Sequence, residues 1–285
     1  MEPELNQSVT RMKRDIREAA ATLSDNEARF LVGSYHNMQE SRIRASNQIR
    51  ALGNSEPHTT LTWLSQQALI LEKNVGRALD AYSEADPIGA VIREVVGIGP
   101  VIAAGLRAHL DITKAPTASA FWRFAGLDPS STWEKGQKRP WNAELKTLCW
   151  QIGQSFQKFS NHPRCFYGAL YKERKAHEVA RNEAGDFSGQ AEVFRKKVGK
   201  TTAAYKYYAS GKLPPAHVDA RARRWVVKLF LSHLHAVWYE HHHGVAPPVP
   251  YIIAQDPRHT NRVAPPFQLP EKAASHDWRK SKPIP

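Results

Sequence analysis

SDNEARFLVGSYHNMQESRIRASNQIRALGNSEP, residues 24–57, decides the fold. Ser24 and Glu27 stand three apart in the form of a capping box, each side chain able to satisfy the other's exposed backbone amide, so a helix starts here. No proline interrupts it before Leu52, and Gly53-Asn54-Ser55-Glu56-Pro57 then supplies a stop, a turn and a restart. A second helix follows over roughly Thr60 to Glu84. In it Leu64, Ala68, Leu71, Val75, Leu79 and Tyr82 recur at three- and four-residue steps on one stripe. Two long helices joined by a short turn make a hairpin spanning residues 24–86. Its apolar stripe predicts packing against Phe30, Leu31, Met38 and Ile43 of the first helix, or pairing with a second subunit as a homodimer.

On the N-terminal side, residues 1–23 read as a charged opening helix. On the other side, residues 87–160 read as helix, tight turn and helix around Val96-Gly97-Ile98-Gly99-Pro100. Gly97 and Gly99 permit the turn, and Pro100 suits a first helical position. The amides left exposed at that positive helix end make Gly97 and Gly99 a candidate phosphate-binding hairpin. Asp111 to Phe124 predicts a short helix. Leu145, Leu148, Cys149, Ile152 and Phe156 then resume a helical period. Residues 161–244 predict short charged helices broken by glycines, then a strong final helix ending near Gly244. From Val245 the repeated prolines predict an extended tail that wraps the body or is left free. The fold class is therefore all-α.

Lysine and arginine number 40 against 27 acidic residues, a formal net charge of +13 with pI near 9.8. Such a field favours a polyanionic partner without saying which one. Cys149 and Cys165 are the only cysteines, so neither a disulfide framework nor a cysteine-rich zinc site can be built, and a reducing, cytoplasmic compartment is expected. The polar opening and the absence of a long apolar run predict neither secretion nor membrane insertion.

Basic and aromatic residues converge on the loop between Ser130 and Asn142. Lys135, Lys138, Arg139 and Lys146 supply charge-assisted donors for phosphate oxygens, Gln137 and Asn142 can reach base edges or 2′-hydroxyls, and Trp133 and Trp141 offer stacking surfaces. The alternative is a solvated charged loop with buried tryptophans. Arg42, Arg44 and Arg50 near the hairpin tip, and Arg221, Arg223, Arg224 and Lys228 on the final helix, are candidates for additional nucleic-acid contacts.

Catalytic patterns are weak. His233, His235, His241, His242 and His243 predict a loose surface cluster, because their spacing does not place three on one helical face, so no metal and no cofactor are expected. Asp80 with Glu84 has ordinary helical spacing, and no phosphate-cradling glycine loop of the nucleotide-hydrolysing type occurs.

The stretch GIGPVIAAGLRAHLDITKAPTASAFWRFAGLDPS, residues 97–130, resembles the C-terminal domain of Piv-type insertion-sequence transposases, the bridge-RNA-guided recombinases. The loop Lys135-Gly136-Gln137-Lys138-Arg139, leading into Trp141 to Lys146, is similar to the Nop domain of box C/D guide-RNA proteins. Hairpin and Nop-like core together resemble the Tas proteins of tandem interspaced guide RNA (TIGR) systems. That resemblance implies a prokaryotic or phage-encoded protein that binds a structured guide RNA, targets DNA through it, and has no nuclease domain of its own. The chain departs from Piv-type enzymes in opening with helices rather than an acidic RuvC-like domain, and in placing Glu134 where they carry a serine. A truncated transposase using Ser130 or Ser131 as nucleophile is the alternative reading. A non-specific DNA-binding protein holding duplex through Gly97 to Pro100 is another.

Overall fold

A computed structural model describes residues 13–53, 58–249 and 263–269. No strand occurs among them, and the fold is all-α. They divide into two compact units: the first holds the described part of Met1–Glu94 with Ile98–Asp111 and Leu269, the second the described part of Val95–Gly97 with Ile112–Gln268.

The first unit opens with α1 (Arg14–Ala19) and a 3-10 turn (Ala20–Thr22), followed by α2 (Asp25–Leu52), α3 (Thr59–Ala85), α4 (Pro87–Arg93) and α5 (Pro100–His109). The capping box forms as expected: the Glu27 amide donates to Ser24 Oγ at 3.3 Å and the Ser24 amide to the Glu27 carboxylate at 2.8 Å. Gly53, at φ 58°, ends α2 in a conformation other residues avoid. Residues 54–57 of the connecting turn lie outside the described residues. Helix α5 packs into the base of the hairpin, where Ala104 and Ala108 join Ala28, Val32, Leu79 and Tyr82 in one core cluster.

The hairpin seam differs from its expectation. Phe30 is 74% exposed, and Ile43 and Leu64 also face outward. Of the expected stripe Ala68, Leu79 and Tyr82 are buried, Val75 and Leu31 pack against the core cluster, and Ala45 of α2 is also buried, while the middle of the seam is polar. The buried Glu72 carboxylate accepts from Arg42 at 2.6 and 3.2 Å and from Gln39 at 3.3 Å. Burial works to raise this carboxyl, and Arg42, Gln39 and Tyr35 override it and hold it below its ordinary value. A buried, fully bonded charge tolerates few alternative registers, so it pins α2 against α3.

The second unit holds a 3-10 turn (Ile112–Lys114), α6 (Ala118–Phe124), α7 (Ala143–Lys158), α8 (Phe166–Glu183), α9 (Ser188–Arg195), α10 (Ala203–Ala209) and α11 (Pro215–His243). The helix expected over Asp111 to Phe124 is thus split, because Pro116 disfavours helical backbone at Ala115. Helices α6, α7 and α8 pack around α11. Leu145, Leu148, Cys149, Ile152 and Phe156 are all buried, as their spacing predicts. Phe156 stacks on Tyr167 at 4.8 Å, and Phe230 meets both rings edge-on. Helices α9 and α10 keep their own small cluster around Phe187, Ala191, Tyr208, Leu213 and Val218.

Two of the histidines expected in a surface cluster belong to this core. His233 and His235 are 4% and 2% exposed. His235 Nε2 bonds the Ala115 carbonyl at 2.8 Å, and His233 bridges the Tyr167 hydroxyl at 2.7 Å and the Val263 carbonyl at 2.8 Å. The apolar period of α11 places both inward, where ring nitrogens must find partners. Val263 belongs to the extended segment Val263–Leu269, whose Phe267 is buried beside Phe230. This part of the proline-rich tail wraps the body; residues 250–262 and 270–285 lie outside the described residues. No helix among the described residues is long and apolar enough to cross a membrane.

Glu178, 1% exposed, sits between Arg174 and Arg221, the latter at 2.7 Å. Burial pushes its carboxyl upward, and the two guanidiniums hold it below its ordinary 4.5. A depressed folded-state value contributes stability that is present above that ordinary value and is lost as pH falls through the folded one. Glu178→Ala strands two arginines and is expected to cost about 3–5 kcal/mol. Denaturant melts at neutral pH should show that loss, and it should shrink as pH falls below 4.5.

Candidate nucleic-acid interface

The loop that follows α6 is held at both ends. Helix α6 stops at Gly126, φ +64°, with the Gly126 amide returning to the Arg123 carbonyl and the Leu127 amide to the Trp122 carbonyl, the paired bonds that close a helix C-terminus. At the far end the Asn142 amide donates to the Phe124 carbonyl at 2.9 Å, and the Asn142 side chain caps α7 by accepting from the Leu145 amide at 2.8 Å. Between these ends, Trp141 lies against Gly126 so closely that a Cβ there would fall 2.8 Å from the indole. The Lys146 ammonium sits over the same ring, 4.0 Å from its centroid.

The tip is a second closed unit. Its turn runs from Glu134 to Gln137 through Gly136, φ +95°, and the Trp133 indole N–H donates to the Gln137 carbonyl at 2.7 Å. Arg139 lies over the Trp133 ring at 5.2 Å. Lys135 and Lys138 are exposed and make no ion pair among the described residues.

Electrostatics joins the loop to α11. Burial, with the charges of Arg139 and Arg224, pushes the Lys146 ammonium below its ordinary value. Arg224 is itself lowered by desolvation and by Arg221 and Arg223, with Glu178 opposing. Arg221, Arg224 and Lys228 recur at three- and four-residue steps and so share a face. Lys228 lies 4.2 Å from the Trp122 ring centroid, and the Trp122 indole donates to the Lys228 carbonyl at 2.9 Å. Burial lowers this ammonium, and Asp128 counteracts it.

Not every sequence candidate joins this surface. Arg221 is committed to Glu178 and to Gln190 at 3.1 Å, and Arg223 to Asp219 at 2.9 Å. Asn142 spends its side-chain oxygen on the helix cap, and Gln137 closes the tip turn through its backbone and a 3.4 Å contact with Glu134. Arg42 is bound to Glu72, while Arg44 pairs with Glu40 and Arg50 bonds Asn47 on the hairpin surface. All three belong to the first unit. Of the turn glycines, Gly97 belongs to the second unit and Gly99 to the first. Gly97, φ +105°, is pressed against Phe156, and its carbonyl accepts from Ser155 at 2.6 Å, so packing explains it. Gly99 caps α5 ahead of Pro100, as expected.

Ser130 donates to Asp128 at 2.7 Å through its hydroxyl and at 2.9 Å through its amide. These bonds hold the Asp128 carboxyl below its ordinary value, which makes it a weak base for activating that hydroxyl. Ser131 enters the same turn through its amide.

One surface residue escaped the sequence reading. Trp150 on α7 is 61% exposed, one turn beyond Lys146. The period that buries Leu145, Leu148, Cys149 and Ile152 puts it on the opposite face, and that signal was sufficient to find it.

Compared with family models, curated proteins and solved structures, the chain matches none.

Gly126 and Gly136 separate anchoring from mere turn geometry. Gly126→Ala is expected to displace Trp141 and Lys146, lower the melting temperature and open the loop to limited proteolysis. Gly136→Ala, with no atom within 4 Å of the added carbon, should cost only the local backbone strain of about 1–2 kcal/mol. Equal protease sensitivity of the two variants would contradict the anchoring role.

Proposed function

We propose that this chain is a guide-RNA-binding protein whose second unit grips the RNA backbone through the loop after α6, the start of α7 and one face of α11. The observation that carries this reading is that Lys146, braced over Trp141 at 4.0 Å, lies within the field of two further cations, Arg139 and Arg224. Like charges in proximity raise the energy of the unbound protein, and none of the three forms an ion pair with a carboxylate among the described residues. A phosphodiester backbone supplies the missing negative charge, and the release of its counterions adds to the affinity. Trp133 sets Arg139 in place and Trp141 sets Lys146, while Trp122 holds Lys228 on the α11 face that also carries Arg224.

In this reading the guide RNA, rather than the protein, selects a DNA target by base pairing, as in other RNA-guided binders where protein contacts register duplex geometry. The hairpin serves as the dimerisation element, its outward Ile43, Trp63 and Leu64 forming the apolar part of the contact. Light scattering at micromolar concentration is expected to give about twice the 32.1 kDa chain mass, and a monomer would count against that role.

Lys146→Ala combined with Arg224→Ala tests the grip. The double variant is expected to keep its helical circular dichroism and to lose the RNA that co-purifies with the parent chain. The slope of log affinity against log salt should fall by about 2, one unit per phosphate contact removed. Sequencing of the parent chain's RNA is expected to give one short species. Unchanged slope and unchanged RNA content in the variant would refute the assignment.

A further inference from the structure

Helix α7 turns Leu145, Leu148, Cys149, Ile152 and Phe156 inward and presents Lys146, Trp150 and Gln154 outward at successive four-residue steps. Such residues share a face and rise about 6 Å per step, comparable to the separation of phosphate and base within one nucleotide. The three stations differ in what already occupies them. Lys146 rests over Trp141 and leaves its ammonium beside Arg139 and Arg224. Trp150, 61% exposed, has neither a hydrogen-bond partner nor a cation over its ring among the described residues. Gln154 is half-buried, with its amide likewise unengaged among them.

This separates Trp150 from the other indoles of the unit. Lys228 covers Trp122, Arg139 covers Trp133, Lys146 covers Trp141 and Arg174 covers Trp225, at 4.2, 5.2, 4.0 and 5.3 Å from the ring centroids, and Trp238 is buried against Phe121. A ring face under a cation is not available to a base. Trp141 is further excluded by Gly126 pressed against it. Trp133 and Trp141, expected from sequence to stack, each give one ring face to a cation, and the unit's exposed indole with no cation over either face among the described residues lies one turn further along α7 than Lys146.

We propose that Trp150 is the stacking platform for an unpaired nucleotide of the bound RNA, with Lys146 holding that nucleotide's phosphate and Gln154 facing its base edge. The assignment rests on the RNA grip described above and specifies what it takes. In a continuous duplex every base hides both faces against its neighbours, whereas an unpaired base exposes one. Stacking tolerates any base, because every base has a π face. The cations on the same surface select a polyanion over an apolar peptide. Trp150 thus turns a general phosphate grip into one that prefers single-stranded segments.

The test compares full-length chain and variants on three fluorescent probes: oligouridine, oligothymidine and a long RNA duplex. Trp150→Ala is expected to weaken oligouridine binding about tenfold and duplex binding less than about twofold. Trp150→Phe should retain most of the affinity, since the ring and not the indole N–H is required. The parent chain should prefer oligouridine to oligothymidine, and the reverse preference would overturn the RNA assignment. Trp150 lies on the surface, so an unchanged thermal melt is expected for both variants. Equal losses on single strand and duplex, or no loss on either, would overturn the stacking role. The Lys146→Ala, Arg224→Ala variant separates the two levels: if it loses both RNA probes while Trp150→Ala changes neither, the backbone grip stands and the platform falls. If it loses none, both fall.

Discussion

The contact between Gly126 and Trp141 governs where the second unit presents its charge. Because glycine has no Cβ, the indole closes against the end of α6, and the Lys146 chain then lies across its outer face. The Asn142 amide, bonded to the Phe124 carbonyl, fixes the start of α7 relative to α6. With that joint set, Lys146 is brought within electrostatic reach of Arg139 from the loop and of Arg224 from α11. Burial and like-charge repulsion both oppose the ionisation of Lys146 and Arg224, and a packed indole is what keeps the ammonium from swinging away. The cost of assembling such a surface in the unbound chain is the physical reason for expecting a polyanion on it.

The same logic distinguishes structural from available cations. Arg42, Arg174, Arg221 and Arg223 have carboxylates at ion-pair distance, and all three of those carboxylates, Glu72, Glu178 and Asp219, are buried. These arginines hold helices together. What remains for a ligand near them is the set of cations with no carboxylate partner among the described residues, Lys135, Lys138 and Arg139 on the loop and Lys146 on α7 among them.

Much of the fold was legible because it rests on local rules. The capping box at Ser24, the stop at Gly53, the inward period of α7 and the left-handed Gly244 that ends α11 each depend on residues within a few positions of one another. The polar middle of the hairpin seam was not legible, since Glu72 and Arg42 read alone as surface charges, and only their pairing 30 residues apart brings them into it. The histidines of α11 misled for a related reason: His233 and His235 find their partners in Tyr167, Val263 and Ala115, contacts that no spacing encodes. At the loop, residue types were read correctly as basic and aromatic, but which indole faces remain open depends on where Lys146 and Arg139 come to rest, and that is a tertiary fact.

The central claim, that the loop after α6 and the outer face of α7 grip an RNA backbone, is tested most directly by photo-crosslinking the purified chain to its co-purified RNA and mapping the adducts by mass spectrometry. Adducts on the peptides that carry Trp133 and Lys135 to Trp150 are the expected result. Adducts confined to α2 and α3, or a chain that retains no RNA at all, would contradict it.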